Sequence, residues 1–243
     1  MLVETNVVDG VAQLMLNRPE RRNALGTALM AALDEAVRAA VADSAVGALL
    51  IHGAAPAFCA GSDLKELAGL DARQMAAHEA ETARITRGIG AAAKPVVAAV
   101  DGYALGGGLA LAAACDVVVT TQTARWHMPE VANGWIPPWG LAPLVDRLGR
   151  ARAQQLLLAE PMDGKEALAF GLADHAVAAI SCLDFAQRIA SRIAGLPRAA
   201  VASTKRYFAT SAEELDRLAG ELFVADCASP EAVVTFAKFG ARA

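Results

Sequence analysis

Between Val96 and Val119 the chain reads VVAAVDGYALGGGLALAAACDVVV. Val96 to Val100 reads as a buried strand, and Asp116 to Thr120 as a second one. Between them, Gly106, Gly107 and Gly108 open a helical segment of Ala and Leu that carries no acid or base before Asp116. Strand, bare turn, helix and strand in that order restrict the chain to layered α/β architectures. The glycines exclude two familiar phosphate sites. A Walker loop needs a Gly-Lys-Ser/Thr ending, and a dinucleotide turn needs a glycine two residues past Gly108 with an acid further on. What remains is a helix N-terminus whose N–H groups no side chain screens. Close packing of helix on strand would explain one such turn equally well.

The rest of the chain extends this pattern. NVVDGVAQLMLNRPE reads as a hairpin turning at Asp9-Gly10. Ala28 to Ala42 has helical periodicity, GALLIHG is a short buried strand, and residues 63 to 90 are polar and helical. Past Pro138 helix signals follow one another. Asp163 with Glu166 and Ser211 with Glu214 form capping boxes, Gly171 closes the helix begun at Asp163, and Ser229-Pro230 is an N-cap with proline at N1. The expectation is an α/β core over residues 1–180 and a helical region over 181–243.

Composition narrows the function. Of 243 residues, 55% are hydrophobic and 5% aromatic, enough for a large core and for buried subunit faces. No run reaches the roughly eighteen apolar residues of a membrane span, and no signal peptide is read. A net charge of −4 argues against a nucleic-acid platform but leaves room for a local basic patch. The cysteines (Cys59, Cys115, Cys182, Cys227) and histidines (His52, His78, His127, His175) show no metal-ligand spacing. A reducing cytoplasm and no metal are expected.

A second glycine turn gives the first one meaning. FCAGSDLKEL, Phe58 to Leu67, follows the strand ALLIHG and enters a helix through Gly-Ser-Asp. Two strand-to-helix turns, each offering a backbone N–H, are able to converge on one oxygen and form an oxyanion hole.

LMLNRPERRNAL, AFCAGSDLKEL, KPVVAAVDGYALGGGLALAAACDVVV, WHMPEVANGWIPPWG and GKEALAFGLADHAV, in this order and spacing, resemble the crotonase superfamily, the enoyl-CoA hydratase/isomerase family. The resemblance covers nearly the whole chain. It implies a crotonase-like α/β core of repeated ββα units and a C-terminal α-helical region that builds a homotrimer or a hexamer of two trimers. It also implies a coenzyme A thioester as substrate, no other cofactor, and a place in fatty acid metabolism. By motif position the N–H groups of Ser62 and Gly107 hold the thioester oxygen, and Ala60, Asp63, Leu64, Gly106, Trp135 and Pro138 are the further candidates for substrate contact. Arg18 and Arg22 match basic residues near the CoA phosphates. Phe236 and Lys238, in FAKFG, match a segment that reaches a neighbouring subunit's ligand.

One departure bears on chemistry. Family hydratases carry two glutamates, and the first position, just after the glycine triplet, is Ala110 in this chain. The second is Glu130, in MPE. Adding water to an enoyl double bond sets two carboxylate tasks, whereas moving the double bond from C3 to C2 needs a single base. Pro138 stands where the family commonly has glycine and offers no N–H, although it also suits N1 of the next helix. The expectation is isomerase-type proton shuttling by Glu130, with hydration, decarboxylation through the same enolate, or non-catalytic CoA-ester binding as alternatives. Asp63 is expected to cap the helix after Ser62 and Asp116 to fix a turn. Trp126 and Trp139 read as core, Trp135 either as core or as a wall of the acyl pocket, and His127 as a packed or exposed histidine or a neighbour that tunes Glu130.

Overall fold

The computed structural model describes residues 1–178, 181–208 and 213–240. Strands β1 (Val3–Val8) and β2 (Val11–Leu16) form the expected antiparallel hairpin. Asp9 and Gly10 turn it with φ of 50° and 75°, the left-handed pair that a two-residue turn requires. Helix α1 (Thr27–Ala42) leads to β3 (Ala48–Gly53). The polar segment then forms two helices, α2 (Leu64–Leu67) and α3 (Ala72–Gly90). The break comes from Asp71, whose side chain accepts the Gln74 N–H while Gln74 returns a bond to the Asp71 N–H. Strands β4 (Val96–Val100) and β5 (Tyr103–Leu105) precede α4 (Gly107–Ala113). Strands β6 (Val117–Thr121) and β7 (Arg125–His127) precede α5 (Glu130–Asn133). There follow α6 (Leu141–Leu156, broken at Gly149), α7 (Gly164–Phe170), β8 (His175–Val177), α8 (Cys182–Ala194), α9 (Arg198–Phe208), α10 (Glu213–Asp226) and α11 (Pro230–Gly240).

The main sheet runs β1-β2-β3-β4-β6-β8, parallel from β2 onward, and β5 pairs with β7 in a small parallel sheet. Cys59 bridges Ala104 of β5, so the residues after β3 join the small sheet too. Each of β3, β4 and β6 therefore hands the chain to the small sheet and then to a helix, which is a repeated ββα unit. Alternation along the strands explains why they are apolar throughout. Leu49, Ile51, Ala98 and Val100 face a core shared with α1, α3 and α4, while Ala48, Leu50, Val97 and Ala99 face Cys182, Ala186 and Ala190 of α8. Fully burying each Val or Leu contributes about 1.5–3 kcal/mol. The division expected at residue 180 falls on residues 179–180, outside those described, and α8, just beyond it, covers one face of the sheet.

Most local expectations have a structural counterpart. Asp163 and Glu166 form their capping box, Gly171 closes α7 at φ 96°, and Ser229 Oγ accepts the Ala232 N–H at 3.2 Å. The capping box of Ser211 with Glu214 lies outside the described residues. Asp116 precedes β6 rather than starting it, accepting the Val96 N–H at 2.7 Å and pairing with Lys205 at 2.6 Å, so it fixes a turn. Pro138 does not begin a helix. Gly140 caps α6, which starts at Leu141.

Candidate active site

The two glycine turns meet. Gly61 has φ 91°, and a Cβ there would lie 2.7 Å from the Leu105 carbonyl and 3.3 Å from the Gly107 nitrogen. A Cβ on Gly107 would lie 3.4 Å from the Ser62 nitrogen. At Gly61, with its positive φ and the Leu105 carbonyl so near, only glycine allows this approach. The bonds Leu25 N–H to Gly61 C=O and Asp63 N–H to Leu25 C=O fix the chain on either side of Ser62. Among the described residues, neither the Ser62 nor the Gly107 N–H finds an acceptor.

Behind the first turn stands Asn23, fully buried at φ 56°, donating to the carbonyls of Ala54 (2.8 Å) and Ala57 (2.7 Å) and accepting the Arg18 N–H. This side chain ties the first motif to the loop after β3. Asp63 caps α2, accepting the N–H groups of Lys65 and Glu66, and pairs with Arg18 Nη1 at 2.8 Å. Arg18 also donates to the Ala24 carbonyl, so it braces this loop. Arg22 is exposed, with its guanidinium 5.5 Å from the centre of the Tyr103 ring.

A pocket of about 540 Å³, open in part to solvent, lies over the two turns. Of the residues anticipated from sequence, Ala60, Ser62, Leu64, Gly106, Gly107, Glu130, Trp135 and Pro138 line it. Arg18, Arg22, Asp63, Phe236 and Lys238 do not. Phe236 stacks on Trp135 of its own chain, with ring centres 4.8 Å apart and planes 13° from parallel, and so supports the wall from behind. Lys238 is exposed on α11. Trp135, Leu67, Met75 and Phe223 pack as one apolar cluster, giving Trp135 its role as pocket wall. Trp126 is core, bonded through its indole N–H to Thr120 Oγ1 at 3.0 Å. Trp139 is both, buried and lining the pocket beside Gly107. His127 is half-buried on β7 and lends its carbonyl to the Gly106 N–H.

Glu130 opens α5 directly after Pro129. Its carboxylate fills the space beside Gly106, where φ is 49° and any Cβ would collide with Oε1. The residue as a whole is partly buried, yet Oε2 is shut off from solvent and has no partner among the described residues. Burial pushes the carboxyl up to about 8, with a hydrogen bond from its own backbone opposing and the charge of Glu79 adding to the rise. A carboxyl so placed takes and returns protons near neutral pH.

Glu79 is the residue that sequence reasoning missed. It lies on α3, is 2% exposed, and lines the same pocket. A signal existed. Met75, Glu79, Thr82, Ala83 and Thr86 form the buried stripe of α3, and an acid on such a stripe is an anomaly. Ala110, the position of the absent glutamate, also lines the pocket, fully buried beside Gly140. Among the described residues no group of three or more His, Cys, Asp or Glu is arranged to hold a metal.

Fold and site together describe an α/β protein whose pocket sits where two glycine turns meet beside a buried carboxyl. The chain belongs to the enoyl-CoA hydratase/isomerase family, within the crotonase superfamily: the family's sequence model, described as Enoyl-CoA hydratase/isomerase, matches residues 6–222. A probable enoyl-CoA hydratase of Rhizobium meliloti (strain 1021) is 40% identical over 206 residues, 83% of this chain and 79% of the relative. The 2,3-dehydroadipyl-CoA hydratase of Escherichia coli K12 is 35% identical over 206 residues, 84% of this chain and 80% of the relative. Among solved structures, Pseudomonas aeruginosa OdaA matches with a TM-score of 0.84 at 33% identity over 99% of each chain. An enoyl-CoA hydratase/isomerase from Xanthobacter autotrophicus Py2 matches at 0.88 and 28% identity, over 100% of this chain and 95% of that one. The protein is thus an enzyme of a family that processes acyl-CoA thioesters.

Proposed function

We propose that the protein moves the double bond of an enoyl-CoA thioester by proton transfer at C2, with Glu130 as the base. The carboxylate takes a proton from C2 of a 3-enoyl thioester. The electrons of that C–H bond pass to the thioester oxygen, held by the N–H groups of Ser62 and Gly107, and the same carboxyl returns the proton to C4 as the double bond settles at C2. The observation that carries this reading is the sealed Oε2 of Glu130 beside two N–H groups that find no acceptor among the described residues. No cofactor besides the coenzyme A of the substrate is required. Trp135, Leu67 and Phe223 supply an apolar wall for the acyl chain. Arg18 and Arg22, on the rim of the first motif, remain the candidates for the CoA phosphates.

Turnover of a 3-enoyl-CoA should rise with pH and level off above about 8, because the ionised form of Glu130 is the active base. A rate flat between about pH 6 and about pH 8 would contradict the assignment. The broader test is a product screen with 3-enoyl, 2-enoyl and malonyl-type CoA esters, together with proton exchange at C2 of a saturated acyl-CoA. Exchange separates a catalyst from a binder, and a decarboxylated product would displace the isomerase reading. Hydration is the second reading, favoured by the presence of Glu79 in the pocket and by the names of the relatives.

A trimer, or a pair of trimers, is the proposed assembly. The end of α9 leaves Tyr207 and Phe208 each 78% exposed, and α11 leaves Val233 and Val234 more than half exposed, an apolar surface that a subunit interface would cover. Mass measurement in solution should give an oligomer. A monomer at micromolar concentration would rule it out.

A further inference from the structure

Glu79 sits where the apolar stripe of α3 calls for Leu or Met. Its Oε1 meets His78 Nδ1 at 3.0 Å, and its carboxylate shares the pocket with Glu130. Burying an acid here is costly, and a well-packed apolar side chain would serve stability at least as well as the Glu79–His78 pair. Burial works against a charged His78, but the hydrogen bond and charge of Glu79, with Glu66 and Asp63 adding, raise its pKa overall. His78 Nε2, buried and without a partner among the described residues, leaves the ring committed to Glu79 through Nδ1 alone. Among the described residues the pocket thus has two carboxyls on separate elements, α3 and α5, and none on α4, where Ala110 stands.

We propose that Glu79 is a second catalytic carboxylate, which gives this pocket a water-adding activity that Glu130 alone does not support. This rests on the reading of Glu130 and the two N–H groups given above. A water molecule bound between Glu79 and C3 of a 2-enoyl thioester loses a proton to Glu79 as its oxygen bonds to C3. The π electrons of C2=C3 move to the thioester oxygen, giving the enolate. Protonated Glu130 then delivers its proton to C2. The product is the 3-hydroxyacyl thioester, one water is consumed, and solvent carries the proton from Glu79 back to Glu130. His78 is a positioning residue that holds the Glu79 carboxylate toward the water.

The test compares two activities of the same protein. Hydration is followed with but-2-enoyl-CoA and oct-2-enoyl-CoA, and isomerisation with the matching 3-enoyl esters. The native enzyme should do both. Glu79→Gln should lower the ratio of hydration to isomerisation by about 10²–10⁴-fold, the loss typical of a removed general base. A ratio unchanged within about threefold, in a variant that retains its fold by circular dichroism, overturns the proposal, because a packing role would depress both reactions together. Native enzyme that isomerises without hydrating also overturns it and leaves the role of Glu130 standing. Native enzyme that does neither removes both readings. If Glu79→Gln does not fold, Glu79→Asp keeps the charge and withdraws it by one methylene, and the same fall in the ratio is required of it.

Discussion

Glu130→Gln should abolish turnover and at the same time make the ligand-free protein more stable at neutral pH. Gln matches the shape of Glu beside Gly106 but takes no proton, and losing a general base lowers turnover by about 10²–10⁴-fold. CoA-ester binding should survive, since the N–H groups and the apolar wall are untouched. The stability gain follows from linkage. The carboxyl titrates at about 8 in the folded protein against the ordinary 4.5, so between those values the unfolded chain is ionised while the native one is not. Its contribution is therefore complete below 4.5 and is lost as pH rises toward 8. At about 1.36 kcal/mol per unit this amounts to about 3 kcal/mol by pH 7. Urea unfolding of both proteins at about pH 5 and about pH 8 should show a steep decline in the native chain and a shallower one in the variant. Parallel declines would mean that Glu130 is ionised in the free enzyme, and the base assignment would need a different physical footing.

Gly107 gives the second large effect, provided the loss of its N–H is separated from the crowding a side chain causes. A Cβ at this position would lie 2.7 Å from Trp139 Cζ2, so any substitution disturbs that ring. Gly107→Ala introduces the crowding and keeps the N–H. Gly107→Pro introduces it and removes the donor, at the first position of α4 where proline is otherwise tolerated. The proline variant should turn over about 10²–10³-fold more slowly than the alanine variant, the usual effect of deleting one oxyanion donor. Equal rates in the two folded variants would show that the Gly107 N–H does not hold the thioester oxygen.

By itself the sequence determined whatever depends on neighbours along the chain. Backbone dihedrals, caps and hydropathy periods are local, so the Asp9-Gly10 turn, the caps at Asp63 and Asp163, the buried strands and the two glycine turns were all readable. The absence of an acid at Ala110 was readable because a motif fixes that position. The tertiary structure alone decided which distant groups share a space. The order β2-β3-β4-β6 and the small sheet bring Ser62 against Gly107, and packing of α3 turns Glu79 into the pocket that holds Glu130. It paired Arg18 with Asp63, and it set Phe236 on Trp135 of the same chain. The titration of Glu130 belongs here too. A carboxyl far above its ordinary range reflects the water that packing has excluded and the charge that α3 has brought near, and neither is a property of the residues beside it in the chain.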